Sequence, residues 1–272
     1  MENNLTVRQA NDLAKKIRSH VLWMTHRGRS SHIGSCLSVA DIVASVYSIM
    51  NVDPTKPNHP DRDHFILSKG HAGAAVYAAL AEKGFFPLDK LKTHYQNAST
   101  LSGHVSHIGN PGVDFSTGSL GHGLPVAAGI SYARELDRHP ARTFCVLSDG
   151  ELDEGSNWEA FMFAGHHRLK NLIIIIDRNG LQSIKSTELT LSLEPLAEKL
   201  RSFRLDVIEL DGHDHLSILR GITRESEMPK VLICKTVKGK GVPFMENNVK
   251  WHYSFPEKDD VEKGLKSLGC DL

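Results

Sequence analysis

The sequence predicts an α/β fold, a doubly wound parallel sheet with helices on both faces. Short runs of Val, Ile and Leu alternate along the chain with longer segments whose apolar residues recur at helical spacing. In the clearest short run, residues 172–176, the apolar residues are continuous, which is typical of a strand buried on both faces. The 272 residues are enough to bury a large core of this kind.

Elements in the first part of the chain follow from spacing and capping. Apolar residues over 5–27 recur at helical spacing and predict a long first helix. Ser38 is a residue type that favours helix N-caps, so a second helix is expected over 39–50. A short strand over 65–67 and a helix over 72–83 are predicted to follow.

A long stretch without regular spacing, residues 84–117, is rich in glycine, serine and histidine. Inside a compact domain, a loop of this length serves a ligand more often than it merely connects two elements. The stretch is therefore expected to contribute to a binding site.

The second part of the chain repeats the alternation of strand and helix. Strands are predicted over 143–147, 172–176, 205–210 and 231–236. Helices are predicted over 124–136, 157–169, 195–203 and 214–225. Residues 1–272 are expected to form a single domain, with 244–272 as a peripheral C-terminal extension.

Bulk composition excludes several classes of partner. Lysine plus arginine and aspartate plus glutamate both total 32, so no net positive field attracts nucleic acid or an anionic membrane. The 16 histidines favour proton transfer or the binding of polar ligands. A polar amino terminus and four scattered cysteines without a Cys-x-x-Cys pair predict a cytoplasmic protein with reduced thiols.

Polar residues follow two predicted strands, at Asp149-Gly150 and at Asn179-Gly180-Leu181. Because ligands of an open parallel sheet collect at the carboxyl ends of its strands, these turns are expected to share one crevice. The Asp149 carboxylate, the Asn179 amide oxygen and the Leu181 carbonyl suit a hard cation. Gly150 permits close approach of a phosphate, and the following helix offers its amino terminus.

The same dipeptides are also common in ordinary turns after strands, which is the alternative interpretation. Their separation by one helix and one strand favours a site instead, because it places them on neighbouring strands. Together these turns predict a metal ion bridged to a diphosphate.

Asp149-Gly150, Glu154-Gly155 and Asn179-Gly180 resemble the fingerprint of thiamine diphosphate enzymes, with Ser148 in place of its first glycine. Within that superfamily, further motifs resemble transketolase in their order. These motifs are Ser-His-Ile-Gly at 31–34, Leu-Ser-Lys-Gly-His-Ala at 67–72, Gly-His at 103–104, Ser-Thr-Gly-Ser-Leu-Gly-His-Gly at 116–123 and Asp-Gly-His-Asp at 211–214. The resemblance runs from about residue 10 to His252.

The resemblance implies roles for the matching residues around the cofactor. Asp149, Asn179 and the carbonyl of Leu181 would hold Mg²⁺ or Ca²⁺. Two residues, Gly150 and His71, would contact the diphosphate of thiamine diphosphate. Three more, Gly118, Ser119 and Leu120, would pack near the thiazolium ring and the aminopyrimidine amine.

The resemblance also implies catalytic residues. His32, His104 and His252 would line the substrate channel and the diphosphate face. Glu154 and Glu159 would link two cofactor sites across an interface between subunits, although they also suit the first turn of a helix. Lysines in a glycine loop are usually solvated, so Lys238 and Lys240 are not assigned to the site.

A complete transketolase carries, in a further domain, a glutamate that contacts the pyrimidine ring of the cofactor. The 272 residues are already matched to the diphosphate-binding domain, so the resemblance implies a partner, a C-terminal transketolase subunit with the pyrimidine-binding domain, in an α2β2 heterotetramer. Together they would transfer a two-carbon ketol unit from a ketose phosphate or related anionic sugar to an aldose.

Three questions stay open from the sequence. The chain could belong to another thiamine diphosphate enzyme, a 2-oxo acid dehydrogenase E1 or a deoxyxylulose phosphate synthase-like protein. It could also be a non-catalytic subunit that retains the fold. Finally, Tyr253 follows His252 where split transketolases are expected to have glycine, and this bulkier residue could reshape the mouth of the channel.

Overall fold

The computed structural model describes residues 2–270, with side chains from residue 4 onward, and is centred on a five-stranded parallel sheet. The strands are β1 (His64–Leu67), β2 (Thr143–Ser148), β3 (Leu172–Arg178), β4 (Asp206–Asp211) and β5 (Lys230–Lys235). Their order across the sheet is β1-β2-β3-β5-β4, and each neighbouring pair is parallel. The predicted fold class is confirmed, and each of these strands lies within two residues of its predicted position.

Helices cover both faces of this sheet. They are α1 (Glu2–Gly28), α2 (Ile33–Tyr47), α3 (Gly73–Glu82), α4 (Gly123–Leu136), α5 (Gly155–His167), α6 (Thr187–Thr190), α7 (Leu196–Ser202), α8 (His215–Thr223) and α9 (Lys258–Ser267). Successive strand residues point to opposite faces: Phe144 joins a core with α1, α2, α3 and α8, whereas Cys145 joins a core with α4, α5 and α7. Continuous apolar runs are therefore needed to fill two cores at once.

The predicted start of the second helix was wrong. Helix α2 begins at Ile33, so Ser38 lies inside it and not at its N-cap. The Ser38 hydroxyl is fully buried and donates to Asp177 Oδ2 at 2.5 Å, so it serves a buried carboxylate on β3. His32 takes the N-cap position with φ 74°, a left-handed conformation that is uncommon for a residue other than glycine.

Two other segments differ from their expected description. Residues 84–117 are mostly irregular, as predicted, but include a short 3₁₀ helix, Leu88–Thr93. The segment 244–272 was expected to be peripheral, yet Met245, Trp251 and Val261 belong to the core that contains α1. Residues 1, 271 and 272 lie outside the described part, and the single-domain boundaries stay a prediction.

The connections of the sheet determine where a crevice forms. The chain passes from β3 to the edge strand β4, where the direction of winding reverses, and then returns to β5, which lies beside β3. The helix that joins β2 to β3 is on one face, whereas the helix that joins β4 to β5 is on the other. A crevice is expected beyond the carboxyl ends of strands at such a reversal. Among the helices of the described residues, none has both the length and the apolar character needed to cross a membrane.

Candidate active site

A cavity of about 280 Å³ occupies this crevice. It collects most of the site residues that the sequence predicts, from segments far apart in the chain. Those that line it are His32, His71, His104, Gly118, Leu120, Asp149, Gly150, Asn179, Leu181 and His252. The shared crevice expected for the two strand-end turns is therefore present.

The oxygen donors after β2 and β3 are held by backbone amides. Asp149 is fully buried. Its Oδ1 accepts a hydrogen bond from the Gly150 amide at 2.8 Å, and its Oδ2 accepts one from the Gly180 amide at 2.6 Å. The side-chain oxygen of Asn179 accepts from the Leu181 amide at 3.1 Å, within a turn whose Gly180 has φ 76°. Burial, together with the charge of Asp177, raises the pKa of the Asp149 carboxyl. A bound cation would stabilise the ionised carboxylate.

The segment after Asp149 differs from the expected helix. One 3₁₀ turn, Gly150–Asp153, comes first, and α5 begins only at Gly155. The amino terminus of α5 is thus displaced by a turn from Gly150. A Cβ atom at Gly150 would lie 2.8 Å from Cγ of Gln182, so a side chain at residue 150 would require the Gln182 side chain to move.

Four histidines that line the same cavity form one ring cluster. The His32 ring centroid lies 5.1 Å from that of His71, 5.6 Å from that of His104 and 4.9 Å from that of His252. The His32 amide donates to the His252 carbonyl at 2.7 Å, and this bond holds the left-handed backbone in place. A non-glycine residue in that conformation costs on the order of 1 kcal/mol and is concentrated at functional sites.

The cluster is uncharged at neutral pH. Burial lowers the pKa of His32 to about 4, helped by the neighbouring His104 and lysine charges. The pKa of His252 falls to about 3 because of burial and then Lys238, and that of His71 falls well below its usual value because of burial and then Lys69. A neutral imidazole has one donor and one acceptor nitrogen, which suits hydrogen bonds to hydroxyl groups.

Two lysines complete the cavity, and sequence reasoning assigned neither to it. Lys69 is fully buried and donates to Asp177 Oδ2 at 2.5 Å. Lys238 is 2% exposed, and its ammonium group donates to the carbonyls of Leu181 at 3.1 Å and Gln182 at 3.0 Å. The expectation that Lys238 is solvated was wrong.

The sequence carries a positional signal for both lysines, although it does not show that Lys238 is buried. Lys69 and Lys238 follow the carboxyl ends of β1 and β5, the position that singled out Asp149 and Asn179. Lys240 lies beside a separate depression near the end of β4 and does not line the cavity.

Three predicted site residues do not line the cavity. Ser119 is exposed beside it, between two residues that do line it. Glu154 is exposed at the N-cap of α5, and Glu159 is exposed next to a shallow depression beside Phe163. Their role at an interface between subunits stays a prediction. Tyr253 does line the cavity, 63% exposed, with its ring 4.8 Å from that of His252.

The donor set fits a metal that is shared with a phosphorylated ligand. One carboxylate, one amide oxygen and one backbone carbonyl are hard donors of the kind that Mg²⁺ and Ca²⁺ prefer. Within residues 2–270, no group of three or more His, Cys, Asp or Glu side chains could hold a metal ion. The protein alone would leave an octahedral shell incomplete, and Mg²⁺ commonly completes it with phosphate oxygens and water.

Hard oxygen donors, lysine ammonium groups and neutral imidazoles lie together beyond the carboxyl ends of a parallel sheet. This combination defines a domain that binds a diphosphate cofactor. The family model described as "Transketolase, thiamine diphosphate binding domain" matches residues 9–272. The chain therefore belongs to this family, and thiamine diphosphate is the cofactor of that domain.

Individual relatives share this similarity over different fractions of their length. The chain is 38% identical to one subunit of the apulose-4-phosphate transketolase of Actinobacillus succinogenes, over 97% of this chain and 98% of that one. It is 40% identical to a 6-deoxy-6-sulfo-D-fructose transketolase subunit of a Clostridium species, over 81% of this chain and 82% of that subunit. Transketolase from Campylobacter jejuni superposes with a TM-score of 0.89 at 27% identity, over 98% of this chain but 43% of that chain.

Proposed function

We propose that this chain is the metal- and diphosphate-binding subunit of a two-chain transketolase. The observation that carries the proposal is the cavity itself, which is lined both by hard oxygen donors and by a cluster of neutral histidines. The first feature suits a metal diphosphate, and the second suits a polyhydroxylated substrate. The resulting reaction is transfer of a two-carbon ketol unit from a ketose to an aldose.

Asp149, Asn179 and the Leu181 carbonyl are proposed to hold Mg²⁺ or Ca²⁺, and the metal would neutralise charge on the diphosphate. Gly150 and His71 would contact that diphosphate. The ammonium group of Lys238, already hydrogen bonded to the Leu181 carbonyl, adds positive charge beside these oxygens. When bound, the cofactor supplies the electron sink for cleavage of a carbon–carbon bond.

The residues at the rim are proposed to orient the reacting groups. Gly118, Ser119 and Leu120 would pack beside the cofactor rings. The neutral imidazoles of His32, His104 and His252 would donate hydrogen bonds to oxygen atoms of the sugar and accept hydrogen bonds from its hydroxyl groups. The protein thereby orients the substrate and excludes water, while the bond cleavage depends on the cofactor.

A partner chain is part of the proposal. This chain covers 98% of the apulose-4-phosphate transketolase subunit but 43% of a single-chain transketolase. We propose that a C-terminal subunit supplies the pyrimidine-binding domain, in an α2β2 assembly. Glu154 and Glu159, which are exposed on and beside α5, would then face a neighbouring chain and link two cofactor sites.

The donor is proposed to be an anionic ketose. The relatives described above are named for a sugar phosphate and for a sulfonated sugar, so both names specify a strongly acidic group on the sugar. The Lys238 ammonium group adds positive charge to the cavity, whereas the charge of Lys69 is paired with Asp177. Another thiamine diphosphate enzyme acting on 2-oxo acids remains the rival function, but the three imidazoles assigned to the substrate favour a donor with several hydroxyl groups.

Substitution of His104 or His252 by alanine is expected to lower kcat of the reconstituted enzyme about tenfold to a hundredfold. Each imidazole would lose one hydrogen bond to the substrate that strengthens in the transition state, worth roughly 1 to 3 kcal/mol. Steady-state kinetics with a ketose phosphate donor would measure this, alongside the affinity for thiamine diphosphate, which should change much less.

His26→Ala is the control, because His26 lies on α1 and hydrogen bonds the Pro256 carbonyl at 2.9 Å, outside the cavity. Equal damage from His26→Ala and His104→Ala would contradict the assigned roles. A His252→Ala variant that mainly weakens cofactor binding would instead place His252 against the diphosphate, beside Lys238 at 3.0 Å.

A further inference from the structure

A buried polar network lies directly behind the candidate active site. Asp41 on α2 is 5% exposed and accepts from both terminal nitrogens of Arg18, at 2.9 and 2.5 Å. Its Oδ2 lies 2.7 Å from Nδ1 of His213, in the Asp-Gly-His-Asp motif. His215 approaches the other oxygen at 3.4 Å. None of these residues lines the cavity, so the proposed function leaves the motif without a role.

Hydrogen bonding fixes the tautomer of His213. The backbone amide of Val237 can only donate, and it donates to Nε2 of His213 at 2.8 Å. Nε2 must therefore be unprotonated, so Nδ1 carries the hydrogen and donates it to Asp41. The His213 amide in turn donates to Asp211 Oδ1 at 2.8 Å, which orients the motif. His213 is thus a neutral bridge from a buried carboxylate to one backbone amide.

The carboxylate end of this bridge is ionised. Burial alone would raise the pKa of the Asp41 carboxyl, but the hydrogen bond from His213 and the charge of Arg18 outweigh burial and lower it. Because Arg18 makes two bonds to Asp41, the carboxylate stays paired even without His213. A substitution at His213 can therefore change the bridge without leaving a buried charge unpaired.

The residue after the bridged amide is Lys238, whose side chain enters the cavity. On its other side, the Gly239 amide donates to the Gly34 carbonyl at 3.0 Å. These two bonds flank Lys238, whose own carbonyl accepts from the Asn247 amide at 2.8 Å. Together the three bonds fix the backbone from which the flexible side chain reaches the Leu181 carbonyl. Ordering such a side chain costs conformational entropy, so a fixed backbone favours the observed position.

We propose that His213, held by Asp41, is a positioning residue that fixes the backbone at Val237 and thereby places the Lys238 ammonium group in the cofactor site. The effect on the cofactor rests on the proposed function, whereas the effect on the backbone does not. His213 acts through Val237 and Lys238 and touches no residue assigned to the metal.

Two amide substitutions separate the two bonds of His213. The side-chain amide of His213→Gln reaches the position of Nε2 and can still accept from Val237, whereas that of His213→Asn reaches only the position of Nδ1. Hydrogen exchange of the Val237 amide, followed by mass spectrometry without cofactor, should be about tenfold faster in His213→Asn and close to wild type in His213→Gln. Affinity for thiamine diphosphate with Mg²⁺, measured by calorimetry, should fall about tenfold in His213→Asn only.

His64→Asn is the matched control, because His64 also bonds an aspartate with a covered side chain, Asp114, at 3.2 Å, but at the amino end of β1. It should leave both readouts unchanged, and thermal unfolding of each variant reports general loss of stability. Unchanged Val237 exchange in His213→Asn, or faster exchange with unchanged affinity, would overturn the positioning role. If the wild-type chain fails to bind the cofactor, the proposed function fails, while the exchange comparison still decides whether His213 holds residue 237.

Discussion

Thiamine diphosphate is expected to bind this chain only in the presence of a divalent cation, and Asp149→Ala and Asn179→Ala are each expected to weaken that binding by more than about a hundredfold. Each substitution removes one of the hard oxygen donors that line the cavity. The diphosphate carries several negative charges, so without the metal it would face the Asp149 carboxylate directly. Calorimetric titration with Mg²⁺, and again with excess chelator, measures both effects.

The chain offers matched controls at the opposite edge of the sheet. Asp206 begins β4 and Asn171 precedes β3, so Asp206→Ala and Asn171→Ala remove the same side chains far from the cavity. Both controls should bind the cofactor with wild-type affinity. Unchanged affinity in Asp149→Ala or Asn179→Ala, or binding that persists in chelator, would contradict the proposed metal site.

The isolated chain is expected to fold and to show no measurable ketol transfer. The described residues form the diphosphate-binding domain, and activation of the cofactor is proposed to require a glutamate on a pyrimidine-binding partner. Addition of the purified partner should restore turnover, which should saturate as the partner is titrated. A coupled assay for the aldehyde product, run on each chain alone and on the mixture, provides the measurement.

The matched control for this experiment is the mixture prepared with the Asp149→Ala chain, which should stay inactive at every partner concentration. Substantial turnover by the purified chain alone would contradict the two-chain arrangement. Turnover by the partner alone would contradict any catalytic contribution from this chain.

Much of the fold could be predicted because the strands are buried on both faces. A run such as Leu172–Arg178 must be apolar at most positions to fill two cores, and such runs are easily recognised. The start of α2 could not be predicted in the same way. Ser38 has the chemistry of an N-cap, and only the tertiary structure shows that its hydroxyl is bound by Asp177 instead.

The site residues that directly follow a strand could be predicted from the sequence. Asp149 and Asn179 follow directly from the rule that ligands gather at the carboxyl edge of a parallel sheet. Lys238 was not assigned because a lysine in a glycine loop is usually solvated, and its burial depends on bonds to Leu181 and Gln182, which are remote in sequence. The bridge from His213 to Val237 depends in the same way on contacts that no local pattern records.

The most direct test of the central claim is donor selection by the reconstituted enzyme. A phosphorylated ketose, its unphosphorylated counterpart and a 2-oxo acid would each be supplied with one aldose acceptor, and both ketol transfer and carbon dioxide release would be followed. We expect transfer of a two-carbon unit from the phosphorylated ketose at the highest kcat/KM, with no carbon dioxide released. Release of carbon dioxide from the 2-oxo acid, without transfer from either ketose, would contradict it.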